Sequence, residues 1–359
     1  MLDKKIKIIL SGGGTGGSVT PLLAVAQEFY LEHPETNFVF LGTHFGPESK
    51  LVSEVSSKIP VEFKAMLSGK LRRYFSLKNF SDIFNIGGAF FQSIYLLKKE
   101  KPNLVISAGA FVSVPLVWAA KLLKIPVLIH QQDLRPGLAN RLMAGAASKI
   151  TVTFTESKKA YGEKAIVVGN PYFLPTLNNR EIVLRDLGFN NLKPLILIYG
   201  GGTGAVALNE AVVNNLDSLL KIAQVVHLTG TGKKTQDSSD GYYAAEFLDH
   251  QKLLSVMAIS DLVIARPGLG TLTELAALKK ASILVPMPES HQEDNVLAAF
   301  ELGATIYLKQ NELDTSLAQR VKEVVSDEKL RNDLAAKMAE FIKPGAAKEI
   351  VSLCDSLIK

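Results

Sequence analysis

Two glycine-rich stretches of the chain combine residue types that bind anions. "IILSGGGTGG" at 8–17 and "LIYGGGTGA" at 197–205 each join an apolar run to Gly-Gly-Gly-Thr-Gly and then to a helix-like segment. Glycines let the backbone approach a ligand closely, and the first turn of a helix offers N–H groups that have no partner within the helix. Both stretches therefore predict a loop that contacts a phosphate or another polar ligand.

The spacing of Gly12, Gly14 and Gly17 formally matches the G-x-G-x-x-G fingerprint of dinucleotide-binding proteins. A nicotinamide cofactor would also need an acidic residue at the end of the second strand, where it binds the ribose hydroxyls. The segment "FVFLGTHF" offers Thr43 and His44 at that point instead. The motif alone is weak evidence for NAD, and we expect no cofactor.

The second half of the chain offers a carboxylate at a more suitable place. "ARPGLGTLTELAALKK" puts Glu274 in the first turns of a helix that begins near Gly270, where it can bind two ribose hydroxyls. The N–H groups of 268–272 would then meet a diphosphate. The alternative is a surface glutamate in a favourable first turn.

A polar cluster follows a later strand-like run, within "PESHQEDNVLAA" at 288–299. Its side chains have the hydrogen-bonding groups to bind sugar hydroxyls. An ordinary polar loop between a strand and a helix explains the cluster better when it is taken alone. The residues are His291, Gln292, Glu293, Asp294 and Asn295.

Strand-like and helical patterns alternate along the whole chain, which predicts an α/β fold with parallel sheets wrapped by helices. The repeated glycine stretch near the start of each half predicts two Rossmann-like domains that face each other across a cleft. The strand candidates are "KIKIIL", "FVFLG", "LVISAG", "PVLIH", "KITVTF", "AIVVGN", "LILIYGG", "VVHLTG", "DLVIARPG", "ASILVP" and "ATIYL".

A length of 359 residues exceeds what one hydrophobic core usually holds, so we expect two domains. Glycine, asparagine and proline cluster in "VVGNPYFLPTLNN" at 167–179, which is typical of a boundary. We predict a first domain at 1–168, a second at 169–344, and a final helix at 345–359 that packs back on the first domain.

The net charge of +5 is concentrated in the segment 70–101, which has seven Lys or Arg residues and two acids among several aromatic residues. Basic residues interleaved with exposed aromatics are typical of a surface that binds an anionic membrane. The alternative is a basic pair of helices that packs its aromatic residues inward. We expect no nucleic acid as a partner, because no binding motif accompanies the charge.

Two further features limit the class of protein. The uncharged stretch 102–120 is long enough for a membrane span, but its serines, glycines and proline favour a buried strand, a turn and the start of a helix. The apolar run in "MLDKKIKIIL" is too short for a signal peptide. The only cysteine, Cys354, rules out a disulfide framework and is expected to be a core thiol.

Taken together, eight collinear motifs resemble the MurG family of GT-B glycosyltransferases over nearly the whole chain. They are "GGTGGSVTPLLAVA" (13–26), "SGKLRR" (68–73), "GAFVSVP" (109–115), "IPVLIHQQDLRPGLANR" (125–141), "VGNP" (168–171), "GGGTGA" (200–205), "RPGLGTLTELAA" (266–277) and "HQEDN" (291–295).

The resemblance implies inverting transfer of GlcNAc from UDP-GlcNAc to the MurNAc 4-hydroxyl of lipid I, which gives lipid II for peptidoglycan synthesis. Such enzymes work at the cytoplasmic face of the inner membrane without a bound catalytic metal. The partners implied are thus UDP-GlcNAc, lipid I and an anionic membrane surface. In this family the first domain holds the acceptor and the second holds the nucleotide sugar.

By position, the resemblance implies that Glu274 binds the ribose, Gln292 the GlcNAc hydroxyls, and Leu248 lies beside the uracil. The full set implied to contact the donor is Thr15, Gly16, Gly17, Asp133, Phe173, Gly202, Thr203, Leu248, Leu269, Gly270, Thr271, Leu272, Thr273, Glu274, His291, Gln292 and Asn295. The implied membrane patch is Arg72, Arg73, Tyr74, Phe75, Lys78 and Phe80.

The chain departs from the family at position 18, where Ser18 stands in place of the usual histidine, a proposed base. A serine hydroxyl is no general base at neutral pH without an activating partner. "HQQD" stands where "HExN" is usual, so Asp133 is the natural candidate for a relocated base, and His130 is a weaker one. The change to Asp133 is equally consistent with neutral drift.

Other departures are Phe173 for arginine, Gly202 and Thr203 for Ser-Gln, and Phe111 for tyrosine. Two alternatives to lipid II synthesis therefore stay open. One is a GT-B transferase that acts on another lipid-linked or small acceptor. The other is a catalytically impaired protein that binds a UDP-sugar.

Overall fold

The computed structural model describes residues 5–67, 78–201, 205–233 and 239–358, and for 78–86 it describes the backbone alone. The chain divides into two compact units. The first unit consists of residues 1–173 with 343–359, and the second consists of residues 174–342.

The first unit has a seven-stranded parallel sheet in the order β3-β2-β1-β4-β5-β6-β7. Its strands are β1 (Lys7–Ser11), β2 (Asn37–Gly42), β3 (Val61–Ala65), β4 (Leu104–Ser107), β5 (Val127–Gln131), β6 (Lys149–Val152) and β7 (Ala165–Val167). Its helices are α1 (Thr20–Glu32), α2 (Glu48–Val55), α3 (Lys78–Glu100), α4 (Ser113–Leu122), α5 (Leu138–Met143), α6 (Thr155–Lys158) and, at the end of the chain, α15 (Ala346–Leu357). Short 3-10 helices span Gly16–Ser18 and Gly162–Lys164.

The second unit repeats this topology in a six-stranded parallel sheet of order β10-β9-β8-β11-β12-β13. Its strands are β8 (Leu195–Tyr199), β9 (Gln224–Leu228), β10 (Tyr242–Ala245), β11 (Leu262–Ala265), β12 (Ser282–Leu284) and β13 (Ile306–Tyr307). Its helices are α7 (Arg180–Leu187), α8 (Val206–Asn214), α9 (Leu216–Ile222), α10 (His250–Ile259), α11 (Leu269–Leu278), α12 (His291–Glu301), α13 (Leu313–Ser326) and α14 (Glu328–Phe341), with a 3-10 helix at Gln310–Glu312. The predicted α/β class with two Rossmann-like parallel sheets is confirmed.

The central strands read as unbroken apolar runs because helices cover both faces of each sheet. Every residue of β8 and β11 is buried, for example. Two strands, β3 and β10, are absent from the predicted set, and each is the outermost strand of its sheet. Most residues of each are only partly buried. Their sequences, "VEFKA" and "YYAA", lack the run of Val, Ile and Leu residues that reveals the central strands.

The last helix, α15, belongs to the first unit and packs against α1. Its buried residues Ile350, Val351 and Cys354 join the hydrophobic core on that side of the sheet. Burial raises the pKa of the Cys354 thiol, so the cysteine stays protonated in the core as expected.

The uncharged stretch 102–120 forms β4, a turn and most of α4, which confirms that prediction. Within the part of the chain that the structure describes, no helix combines the length and apolar character needed to span a membrane.

Two histidines are buried as neutral groups, one in the core of each unit. Desolvation by burial lowers the pKa of His227 from 6.5 to about 4. Burial is also the main reason why the pKa of His130 is lowered from 6.5 to about 4. Both rings make hydrogen bonds, His227 to the Tyr242 hydroxyl at 2.8 Å and to Asn209 Oδ1 at 3.1 Å. Between pH 6.5 and 4 the unfolded chain therefore binds protons that the folded chain does not.

We predict that stability falls as the pH is lowered from 6.5 to 4, by up to about 1.4 kcal/mol per pH unit for each buried histidine. In the His227→Gln variant the free energy of unfolding should fall less steeply with decreasing pH, because the contribution of His227 is removed. Its stability at neutral pH can be lower without affecting this slope. Urea unfolding at several pH values between 4 and 7.5 measures both slopes. Parallel curves for the two proteins would contradict the assignment.

Candidate active site

The strand order places two loops side by side at the carboxyl ends of central strands in each sheet. In the first unit β1 and β4 are neighbours, although the chain leaves β1 toward β2 on the other side. In the second unit β8 and β11 have the same relation. Ligands of such sheets bind at this switch point, beyond the carboxyl ends of the strands. The glycine stretches follow β1 and β8, so each lies at the switch point of its own unit.

The first glycine loop is held in shape by its own serine. Ser18 Oγ accepts a hydrogen bond from the Gly13 N–H at 2.9 Å and lies 3.1 Å from the Gly13 carbonyl oxygen, to which it can donate. Gly14 has a φ of +81°, which disfavours any residue with a Cβ. The Ser18 side chain therefore closes the loop, while Thr15 and Gly17 are exposed and Gly16 is partly exposed.

A buried carboxylate that the sequence analysis missed lies beneath this loop. Glu48, the first residue of α2, has an exposure of 0%. Its Oε1 accepts hydrogen bonds from the Gly14 N–H at 2.6 Å and from the Thr43 hydroxyl at 2.9 Å. The loop after β1 is thus anchored to the segment that follows β2.

His130, a predicted candidate for the base, lies at the end of β5 and is buried, with an exposure of 1%. Its Nδ1 is 3.1 Å from the Thr151 hydroxyl and its Nε2 is 3.2 Å from Asn170 Oδ1. Because an amide oxygen only accepts, a neutral ring donates from Nε2 to Asn170 and accepts at Nδ1 from Thr151. Both nitrogens are occupied, so the ring connects β5 to β6 and to the segment that follows β7.

Gln131 organises the loop that carries Asp133. Its Nε2 donates to the Asp133 carbonyl oxygen at 2.7 Å, and its Oε1 accepts from Asn140 Nδ2 at 2.7 Å and from the Tyr161 hydroxyl at 3.0 Å. Asp133 itself is partly exposed just beyond the carboxyl end of β5. Of the three candidate catalytic residues, it is the only one that carries a carboxylate.

In the second unit, two helices begin at the switch point without a side-chain cap. The N-cap residues of α8 and α11 are Ala205 and Gly268, and neither supplies a capping hydrogen bond. Their first N–H groups therefore suit an anion. The Tyr199 hydroxyl, at the end of β8, lies 3.3 Å from Thr271 Oγ1 in α11 and joins the two sides of the switch point.

The predicted donor residues of α11 differ in their accessibility. Leu269, Leu272 and Thr273 are buried, and the Thr273 hydroxyl donates to the Leu269 carbonyl oxygen at 2.7 Å. Gly270 is exposed, and Thr271 is partly so. A ligand would therefore meet this turn mainly through backbone N–H groups and Thr271.

Glu274 lies in the second turn of α11, with a side-chain exposure of 19%. Its Oε1 is 3.0 Å from Nε2 of His250, the first residue of α10. Leu248, two residues earlier, is partly exposed. The predicted ribose and uracil residues are thus brought near each other through the start of α10, and His250 is a neighbour that the sequence analysis did not identify.

The segment 291–295 forms the first turn of α12, so the preference for a polar loop was wrong. Ser290 caps this helix by accepting a hydrogen bond from the Gln292 N–H at 3.3 Å, a signal that precedes the cluster in the sequence. The Gln292 side chain is folded back, with Oε1 accepting from the Met287 N–H at 3.0 Å. Asn295 is buried, whereas His291 is exposed.

Arg266, another residue missed earlier, holds the segment that leads into α12. Its guanidinium donates to the carbonyl oxygens of Val285 and Pro286, at 3.0 and 2.7 Å, and to Gln310 Oε1 at 2.5 Å. It follows directly after β11. The two residues that follow β12 are therefore held next to the end of β11.

Several predicted site residues lie outside the described residues or in the part of α3 for which only the backbone is described. Gly202 and Thr203 lie outside the described residues, as do Arg72, Arg73, Tyr74 and Phe75 of the predicted membrane patch. Lys78 and Phe80 lie in α3, in the part for which only the backbone is described. Phe173 is 43% exposed at the end of the first unit, with Lys58 Nζ 5.5 Å from its ring centroid.

A group of exposed apolar side chains lies on α3 and α4, two helices that pack together. We call Phe91, Tyr95, Trp118 and Leu122 the outer apolar group, with exposures of 72%, 64%, 42% and 63%. The Trp118 indole donates to the Leu142 carbonyl oxygen at 3.1 Å, and Lys121 Nζ lies 5.1 Å from its ring centroid.

Comparison with known proteins gives a consistent result over both units. Residues 8–152 match the glycosyltransferase family 28 N-terminal domain, and residues 195–350 match its C-terminal domain. A relative from Clostridium botulinum is 37% identical over 98% of this chain and 99% of its own length. A relative from Clostridium kluyveri is 39% identical over 87% of this chain and 88% of its own length. Both are named UDP-N-acetylglucosamine–N-acetylmuramyl-(pentapeptide) pyrophosphoryl-undecaprenol N-acetylglucosamine transferase.

Solved structures agree with the sequence matches. The crystal structure of Acinetobacter baumannii MurG covers 98% of this chain and 99% of its own, with a TM-score of 0.75 and 25% identity. The UDP-GlcNAc 2-epimerase from Neisseria meningitidis, bound to UDP-GlcNAc, has a TM-score of 0.69 but only 14% identity, so that likeness concerns the fold alone.

Proposed function

The chain belongs to glycosyltransferase family 28, in its MurG family, and from this premise we propose that it transfers GlcNAc from UDP-GlcNAc to the MurNAc 4-hydroxyl of lipid I. The product is lipid II, a precursor of peptidoglycan. The observation that carries the proposal is the match over nearly the full length to relatives named for this transfer. The family models match both units rather than a single motif.

The second unit is the proposed site of UDP-GlcNAc. The N-termini of α8 and α11 have no side-chain cap, which suits the diphosphate and the negative charge that grows on it as UDP departs. Glu274 is the carboxylate that faces the ribose hydroxyls, and Leu248 lies beside the uracil. Gln292, His291 and Asn295, with the backbone around them, are assigned to the GlcNAc hydroxyls.

The proposed reaction is a direct displacement with inversion at C1. The acceptor oxygen forms a bond to C1 while the bond from C1 to the phosphate oxygen breaks, and the hydroxyl proton passes to a base. His130 is buried and neutral, and Ser18 is engaged in the glycine loop. Asp133 is partly exposed at the carboxyl end of β5 and carries a carboxylate, so we assign the role of base to it.

The proposed location is the cytoplasmic face of the cell membrane, with the protein attached peripherally. Support comes from the outer apolar group together with the basic residues Lys98, Lys99, Lys121 and Lys124, which are exposed on or next to the same two helices. Aromatic rings with a basic rim bind the interface of an anionic membrane. The indole of Trp118, bonded at its N–H and exposed on its ring, suits that interface.

We predict that the wild-type protein transfers labelled GlcNAc from UDP-GlcNAc to a short-chain lipid I analogue. Glu274→Ala should weaken UDP binding about 10- to 100-fold, because a carboxylate that accepts two ribose hydrogen bonds is lost. Calorimetry measures UDP binding, and product formation measures transfer. Glu301→Ala, at the exposed end of α12, is the matched control and should change neither.

Two outcomes separate the alternatives. UDP-GlcNAc binding without transfer to lipid I would contradict lipid II synthesis and favour another acceptor or a binding role. Equal UDP affinity in Glu274→Ala and wild type would contradict the ribose assignment while leaving the reaction intact.

The single tryptophan makes membrane binding directly observable. Trp118 emission should shift to the blue on vesicles that contain phosphatidylglycerol, and not on neutral phosphatidylcholine vesicles. Phe91→Ser with Tyr95→Ser should weaken binding to the anionic vesicles by about tenfold or more, since two exposed aromatic side chains are removed. Leu192→Ser, an exposed leucine of the second unit, should have no effect. Unchanged emission on anionic vesicles would refute the surface.

A further inference from the structure

Glu48 is an unusual feature of the first unit, because a fully buried carboxylate is costly. Within the described part of the chain no lysine, arginine or histidine forms a salt bridge with it. Its Oε2 is buried without a hydrogen-bond partner there. Oε1, in contrast, accepts from the Gly14 N–H, the Thr43 hydroxyl and, at 3.4 Å, the Thr43 N–H.

Glycines surround the Glu48 side chain and leave space for it. A Cβ at Gly13 or at Gly46 would overlap the carboxylate, and a Cβ at Gly42 would come within 3.1 Å of the Glu48 side chain. Gly13 lies in the loop after β1, Gly42 is the last residue of β2, and Gly46 lies in the connection between β2 and α2. Gly13 and Gly46 thus leave room for the carboxyl group, and Gly42 leaves room for the aliphatic part of the same side chain.

Two interactions offset the burial of the carboxylate. Glu48 is the first residue of α2, so the positive end of the helix dipole is directed at it. The bond from the Gly14 N–H is a charge-assisted hydrogen bond of 2.6 Å, among the stronger kinds in proteins. The group therefore occupies a backbone N–H that a glycine loop would otherwise offer to a ligand.

We infer that Glu48 is a positioning residue for transfer: it fixes the loop 12–18 in the shape that meets the acceptor. Gly14 is bound to Glu48, and the adjacent Gly13 is bound to Ser18, so one carboxylate and one hydroxyl together hold the turn. The inference rests on the proposed function, in which the first unit meets the acceptor, and it adds that the loop 12–18 makes part of that contact.

The first test compares Glu48→Ala with Glu48→Gln in the full-length protein. Glu48→Ala should lower kcat about 10- to 100-fold at unchanged UDP affinity, because the loop loses its anchor while the second unit is untouched. Glu48→Gln keeps an oxygen that accepts from Gly14 and should recover most of the rate. Hydrogen exchange of the segment 11–18 should speed up in Glu48→Ala and stay close to wild type in Glu48→Gln.

A second variant disturbs the contact between the Glu48 carboxylate and the Gly14 N–H while Glu48 itself is kept. Gly46→Ala places a methyl group where the Glu48 carboxylate lies, so it should reproduce both the slower transfer and the faster exchange of 11–18. Gly87→Ala, in α3, has no atom within 4 Å of the new Cβ and serves as the control.

The readouts separate failure of this inference from failure of the proposed function. Exchange at 11–18 reports the anchor even if no transfer to lipid I occurs. Unchanged exchange in both Glu48→Ala and Gly46→Ala would overturn the anchor. Faster exchange with a wild-type kcat would overturn its role in transfer. If Glu48→Ala fails to fold, Gly46→Ala and Glu48→Gln decide both points.

Discussion

The switch in strand order is the constraint on which the rest of the structure depends. In each sheet the first strand of the unit pairs with its second and fourth strands. The loops after the first and fourth strands therefore lie side by side at the carboxyl ends of these strands. The candidate groups of each unit that bind or react lie at or beyond the carboxyl ends of its strands. The parallel arrangement requires helices on both faces, which buries the central strands and leaves the loops as the accessible part.

The glycine loop after β1 is completed by side chains of its own unit. After β1, the buried carboxylate of Glu48 and the hydroxyl of Ser18 hold the backbone N–H groups of Gly14 and Gly13. At the second switch point, α8 and α11 begin without a side-chain cap. The loop after β1 is therefore a self-contained turn, whereas the second switch point offers two helix N-termini that suit an anion. This difference supports a nucleotide in the second unit and an acceptor at the first.

Sequence patterns predict those parts of the fold that depend on local periodicity. The apolar runs identify the central strands, and the glycine repeat identifies both switch points. The edge strands β3 and β10 escape because partial exposure removes the apolar run. Glu48 escapes because its role arises from contacts with Gly14, 34 positions away. The only local signal of this role is that Gly42 and Gly46 precede Glu48, an acidic residue at the start of a helix. The start of α12 was missed although Ser290 is a typical N-cap residue.

The assignment of the base to Asp133 is the central claim, and the kcat of two single variants tests it most directly. Asp133→Asn keeps the size of the side chain but removes the carboxylate, and it should lower kcat by about 100-fold or more. Ser18→Ala removes only hydrogen bonds within the glycine loop, so it should lower kcat by about tenfold at most. A wild-type rate in Asp133→Asn, or an equal loss in Ser18→Ala, would contradict the account.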